Sequence, residues 1–147
     1  MWINSGNNMV KKWGGEGFMP SANPELFATV AKKDYLQLFD GERPKCQDVM
    51  QFIGFKKPDI AKATGVPLAS VRWDQKMPEE LRTRLSEWAN LFNLVAEFFN
   101  GDIPKTARWF TLPNPMLGNI SPRDMIRFGR YKRLSKFIVN ALSENRR

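Results

Sequence analysis

Apolar residues recur at helical spacing through most of the chain. Leu81, Leu85, Trp88, Phe92, Val95 and Phe99 step by four and three residues, and Leu91, Leu94 and Phe98 widen the same face. A stripe that broad predicts a long helix over residues 78–100, opened by Pro78 and covered on more than one side. Its aromatic face suits a packed core, with a dimer seam as the alternative use. Upstream, Asn23-Pro24-Glu25 reads as a helix start, followed by Phe27, Val30, Ala31, Tyr35 and Leu38 at helical spacing and a stop at Asp40-Gly41. Pro44 is expected to open a short helix with Val49, Phe52 and Ile53 as its apolar positions, ending near Gly54. Near the C-terminus Leu134, Phe137, Ile138 and Leu142 share one side of a helix whose other side carries Lys132, Arg133 and Lys136. No strand pair is expected, so the fold class is all-α.

Between the helix ending near Gly54 and the long helix over 78–100, Ile60, Ala61 and Thr64 precede Gly65, and Val66, Leu68 and Val71 follow. This is the outline of a helix-turn-helix. Ala61 is small where two helices would cross, Gly65 tolerates the positive φ of the turn, and Val66 and Val71 would lock a short second helix. That second helix would expose Ser70, Arg72 and Gln75, with Lys56, Lys57, Lys62 and Lys76 flanking it. An arginine can pair with guanine and lysines suit phosphates, so these seven residues form a candidate DNA contact set. Pro67 and Leu68 stand where polar base readers would be expected, which favours a retained scaffold as the alternative.

The stretch from Trp109 to Gly129 is under close conformational control. Pro113 and Pro115 push Leu112 and Asn114 toward extended geometry. Ser121 is placed to cap the next helix, with Pro122 at its first position and Asp124 in its first turn. Asp102 and Pro104 start a short helix through Phe110 just before this loop. The chain thus divides into an arm over residues 1–22, a helical region with the turn motif over 23–77, a linking helix over 78–100 and a C-terminal domain over 101–147. The turn motif and the loop domain are expected on opposite sides of the linking helix.

Composition narrows the chemistry. At 42% hydrophobic and 12% aromatic residues, the 147-residue chain can bury a core rather than remain disordered. It contains no histidine, and Cys46 is its only cysteine. Ser-His and Cys-His catalysis, His-ligated metals, multi-thiolate metal sites and an intrachain disulfide are therefore unavailable. Glu79, Glu80, Glu87, Glu97, Asp102 and Asp124 fall at helix starts or on polar faces, where they serve helix dipoles and ion pairs rather than acid-base catalysis. A formal charge of +8 favours an anionic partner. With no histidine and no convincing carboxylate pair, neither an enzyme nor a cofactor is expected. No apolar run has membrane-spanning length and the first residues lack a signal-peptide centre, so a cytoplasmic protein is expected.

Trp109-Phe110, Pro113-Asn114-Pro115, Leu117-Gly118, Ser121-Pro122 and Met125-Ile126, ending at Gly129, together resemble the C-terminal toxin-binding domain of the Xre/MbcA/ParS family of type II antitoxins. The resemblance runs from about residue 45 to residue 142. Ser121-Pro122 stands where the family usually has Thr-Pro, which preserves the cap. The resemblance implies a toxin-antitoxin system in which this chain binds a RES-domain toxin that consumes NAD or transfers ADP-ribose, and obstructs its active-site cleft. It also implies a homodimer or a higher toxin-antitoxin complex, with transcription repression at operator DNA as a second role. On this reading Trp109, Leu117 and Ile126 hold the domain together. Toxin contact falls to Asn114, Pro115, Met116, Gly118 and Asn119 of the loop, and to Arg127, Arg130, Lys132, Arg133, Lys136, Arg146 and Arg147. The alternative reading is a stand-alone helix-turn-helix DNA-binding transcription regulator.

Overall fold

A computed structural model describes residue 31 and residues 33–145. The expected arm over 1–22, the start of the helix expected from Asn23, and Arg146 and Arg147 lie outside the described residues. Among those described, the protein is helical apart from a small hairpin, in agreement with the all-α expectation.

Residues 33–38 are not helical as the apolar spacing predicted. Their backbone amides are taken by other acceptors. Leu36 N–H donates to Oδ1 of Asn93 at 2.9 Å, and Asp34 accepts from the amides of Leu38 and Phe39 at 2.8 and 2.9 Å. Gln37 adopts φ 54°. A second departure follows directly: Phe39–Asp40 (β1) and Arg43–Pro44 (β2) pair antiparallel, Phe39 opposite Pro44, around a two-residue loop that begins with Gly41 at φ 66°. The Asp40-Gly41 pair therefore turns a hairpin rather than stopping a helix.

Pro44 belongs to that strand, and helix α1 spans Cys46–Ile53. It ends at Gly54 in the left-handed region, φ 75°, as the sequence suggests. Helix α2, Lys57–Thr64, starts with the Asp59 carboxylate accepting from the Lys56 amide at 2.9 Å and ends at Gly65, φ 79°. The helix expected after this turn is only a three-residue 3-10 turn, Leu68–Ser70. It is held by i→i+3 bonds from Ser70 to Pro67 and from Val71 to Leu68. Val66 and Val71 are both buried and anchor the turn from either side, but Val71 is already extended, so no second helix propagates.

Helix α3, Glu79–Phe98, is the long element at the centre. Its 20 residues span about 30 Å, and residues 91–99 are buried without interruption. Leu81, Leu85, Trp88, Phe92 and Val95 are each at most 1% exposed within the single chain, so the stripe is core and offers no dimer seam. Phe92 packs on Phe52 of α1 at 5.1 Å between ring centroids and edge-on to Phe110 at 4.8 Å, while Trp88 meets Phe55 edge-on at 5.8 Å. Phe110 belongs to α4, Ile103–Thr111, whose N-cap Asp102 accepts from the Lys105 amide at 3.0 Å. Two further helices, α5 over Pro122–Arg127 and α6 over Tyr131–Asn145, follow among the described residues.

The turn motif and the C-terminal helices do not lie on opposite sides of α3. Helices α2 and α5 pack against each other, and residues from both halves share one hydrophobic cluster. The reason is direct bonding. Arg123 of α5 donates to the carbonyls of Ile53 and Gly54, and Arg127 pairs with Asp59 of α2 at 3.8 Å. No helix among the described residues is long and apolar enough to cross a membrane.

Candidate partner-binding surface

The loop after α4 is built around one buried asparagine. Leu112 is extended at φ −92° and ψ 141° because Pro113 follows, and Asn114 is extended for the same reason before Pro115. Asn114 then satisfies its neighbours in turn. Its Oδ1 accepts from the Met116 amide at 2.9 Å, its own amide donates to the Ile120 carbonyl at 3.1 Å, and its carbonyl accepts from Leu117 and Asn119 at 2.9 and 3.0 Å. Gly118 at φ 76° and Asn119 at φ 65° close the loop in the left-handed region. Ser121 Oγ accepts from the Asp124 amide at 3.1 Å and Pro122 begins α5, as their spacing predicts.

This network corrects one expectation. Asn114 is buried and shapes the loop, so its side chain is not a contact. Pro115, Met116, Gly118 and Asn119 are exposed, and Met116 is 56% exposed. Leu112, which the helical pattern does not mark, is 51% exposed beside them in sequence. Trp109 and Ile126 are buried and Leu117 packs against the core, in keeping with their reading as domain-holding residues.

The C-terminal cations divide into two groups. Arg127 is only partly exposed, because its guanidinium pairs with Asp124 in its own helix and with Asp59 of α2, and its Nε is buried without a hydrogen-bond partner. That hydrogen bond holds the Asp124 carboxyl below its ordinary range, against the opposing effect of desolvation. Arg130, Lys132, Arg133 and Lys136 are exposed, and among the described residues no carboxylate pairs with them. They give the start of α6 a cationic face. Phe128 is exposed just before it, with Lys62 Nζ 5.0 Å and Arg127 Cζ 5.9 Å from its ring centroid.

The candidate DNA contacts are likewise split. Lys62 is drawn to Phe128, whereas Lys57 and Arg72 share a cleft with Leu68 and Trp73. Lys56, Gln75 and Lys76 are exposed and Ser70 is half-buried. Arg72 is already engaged by Asp74 in a two-pronged pair, Nε to Oδ1 at 2.7 Å and Nη2 to Oδ2 at 2.5 Å. The pair raises the Arg72 pKa and lowers that of Asp74. A guanine would have to displace Asp74 from the same fork. The signal for this was local, an acid two residues beyond the arginine. By contrast Arg123 and Asn93, which bind backbone groups 70 and 57 residues away, carry no mark in the sequence.

Among the described residues no group of three or more Cys, Asp and Glu side chains is placed to hold a metal ion. The surface presents a hydrogen-bonded loop with exposed apolar side chains and a cationic helix face. Compared with protein-family models, curated proteins and solved structures, the chain matches none.

Proposed function

We propose that this protein is an antitoxin that binds a RES-domain, NAD-consuming or ADP-ribosylating toxin and inhibits it by blocking its active-site cleft. The observation that carries the reading is the Asn114-centred loop. Its backbone is held by internal hydrogen bonds while Met116 is exposed, so little conformational entropy is lost when a partner closes over it. Methionine and arginine are enriched at protein interfaces, and the cationic α6 face would complement an acidic patch on the toxin beside its cleft. The proposed setting is the cytoplasm, in a homodimer or a larger toxin-antitoxin complex.

Operator binding is a second role, favoured by the exposed Lys56, Lys57 and Lys76 around the turn. A three-residue 3-10 turn cannot lie along a major groove as a recognition helix does, so phosphate contact is the expected mode.

The test begins with the adjacent reading frame, which should encode a RES-domain protein, and continues with a titration of the purified chain into that protein, following NAD consumption. The wild-type chain stops turnover at stoichiometric addition. Met116→Glu, and separately the pair Arg133→Glu with Lys136→Glu, are expected to restore it, with helicity confirming the fold. If both variants inhibit with unchanged affinity, neither the loop nor the cationic face is the inhibitory surface.

A further inference from the structure

A pocket of about 430 Å³ opens between the hairpin, the start of α1 and the start of α3. Its cations come from three elements: Arg43 from β2, Lys45 from the residue before α1, and Arg82 from α3. Trp73 supplies a flat wall, and Cys46 and Met77 line the interior, their sulfurs 3.9 Å apart. Lys45 provides no side-chain cap, so the first amides of α1, which border the same space, have no acceptor within the helix. None of these features belongs to the proposed toxin surface.

We propose that this pocket binds a nucleotide, with the phosphate held by Arg43, Lys45 and Arg82 and the base laid against Trp73. The charge favours an anion. Three cations and one carboxylate, Asp48, line it, and Arg82 keeps a bond to Glu79 at 3.0 Å, so a surplus of about one positive charge is left for a phosphate. Two guanidinium groups and a helix N-terminus present several N–H donors, which match the three oxygens of a terminal phosphate better than a carboxylate. The volume exceeds what phosphate alone would fill and lies within the range of small-ligand sites. An indole wall accounts for the remainder, because any base presents a π-face to it.

Such a nucleotide has two sources, a free mononucleotide or the phosphorylated end of a nucleic-acid strand. Trp73 also lines the cleft of Lys57, Leu68 and Arg72, along which a longer strand could continue.

The experiment is calorimetric titration of the full chain with adenosine 5′-monophosphate, inorganic phosphate, adenosine, and a 5′-phosphorylated single-stranded oligonucleotide. The monophosphate is expected to bind about tenfold or more tightly than either phosphate or adenosine. Arg43→Glu with Lys45→Glu, both exposed positions, should abolish binding without loss of helicity. Trp73→Ala should remove the advantage of monophosphate over phosphate, and Trp73→Phe should retain part of it, which separates stacking from damage to the core. If Lys57→Glu weakens the oligonucleotide but not the monophosphate, the pocket also receives a strand end. Equal affinities for monophosphate and phosphate, binding untouched by the Arg43 and Lys45 reversal, or no binding of any probe would each overturn the proposal. Because no toxin is present in the titration, its failure leaves the antitoxin reading unaffected.

Discussion

Arg123 grips the end of α1, its Nε–H donating to the carbonyl of Ile53 at 2.7 Å while its Nη2 reaches the next carbonyl, that of Gly54, also at 2.7 Å. The guanidinium also lies 5.7 Å from the Phe55 ring centroid. Two orphan carbonyls at a helix C-terminus thus find a planar cation, and the pairing joins residues 70 positions apart. It ties the turn region to the C-terminal helices as one packed body.

Arg123→Ala is expected to cost about 2 kcal/mol, the scale of losing charge-assisted hydrogen bonds from a partly exposed site. Arg123→Lys should recover only part of this, because an ammonium cannot match the two-pronged geometry. Urea unfolding followed by both helicity and tryptophan fluorescence checks the magnitude. It also checks the shared core: the two signals should coincide. Separate transitions for the two halves would contradict a single cooperative unit.

Gly118→Ala tests the loop through its backbone alone. Its φ is 76°, and a Cβ at this position would meet nothing within 4 Å, so the cost arises from the left-handed conformation and not from a clash. About 1 kcal/mol is expected, with Gly118→Asn costing less because asparagine tolerates this region better. Thermal unfolding measures the order Gly, Asn, Ala; an alanine variant as stable as the wild type would mean that the loop carries no such constraint.

Stability should form a plateau between about pH 5 and 8, since the chain has no imidazole to titrate there. On the acid side, the Arg127 hydrogen bond lowers the Asp124 pKa, so its contribution is full above the unfolded value and is lost as pH falls through the folded one. With both side chains about a third exposed, at 30% and 34%, the effect is less than about 1 kcal/mol. Cys46 and Tyr131 act in the opposite sense. Burial raises both pKa values, so each contributes stability below its ordinary value that is lost as pH rises through the folded one. Melting profiles from pH 3 to 11 should show both limbs. Asp124→Asn should flatten the acid limb and Tyr131→Phe the alkaline one, and a step centred near pH 6.5 would refute the assignment.

The fork between Arg72 and Asp74 makes a prediction for nucleic acid. Asp74→Asn should weaken the hold on the guanidinium and strengthen binding to random duplex DNA severalfold, with a steeper salt dependence. Arg72→Ala should weaken operator and random DNA alike. Fluorescence anisotropy at two salt concentrations decides it: a loss confined to the operator would return Arg72 to base reading.

Elements whose causes are local are legible in the residues alone. The four- and three-residue steps from Leu81 to Phe99 specify α3, because one face of a helix must be apolar to be buried. Gly54, Gly65, Asp102, Ser121 and Pro122 set helix ends through φ preference or a cap within three residues. Features that depend on distant partners emerge only when the helices pack. Residues 33–38 have helical spacing, yet Asn93 and Asp34 take amides that a helix would have used internally. The second helix of the turn motif stops after three residues because Val71 is drawn into the core in an extended conformation. Arg127 looks like a surface cation in the sequence, and becomes an internal tie once α2 brings Asp59 to it. Periodicity reports which face of an element is buried, and caps report where it ends. Which polar group a folded chain brings within 3 Å of another, across more than 50 residues, depends on how those faces pack.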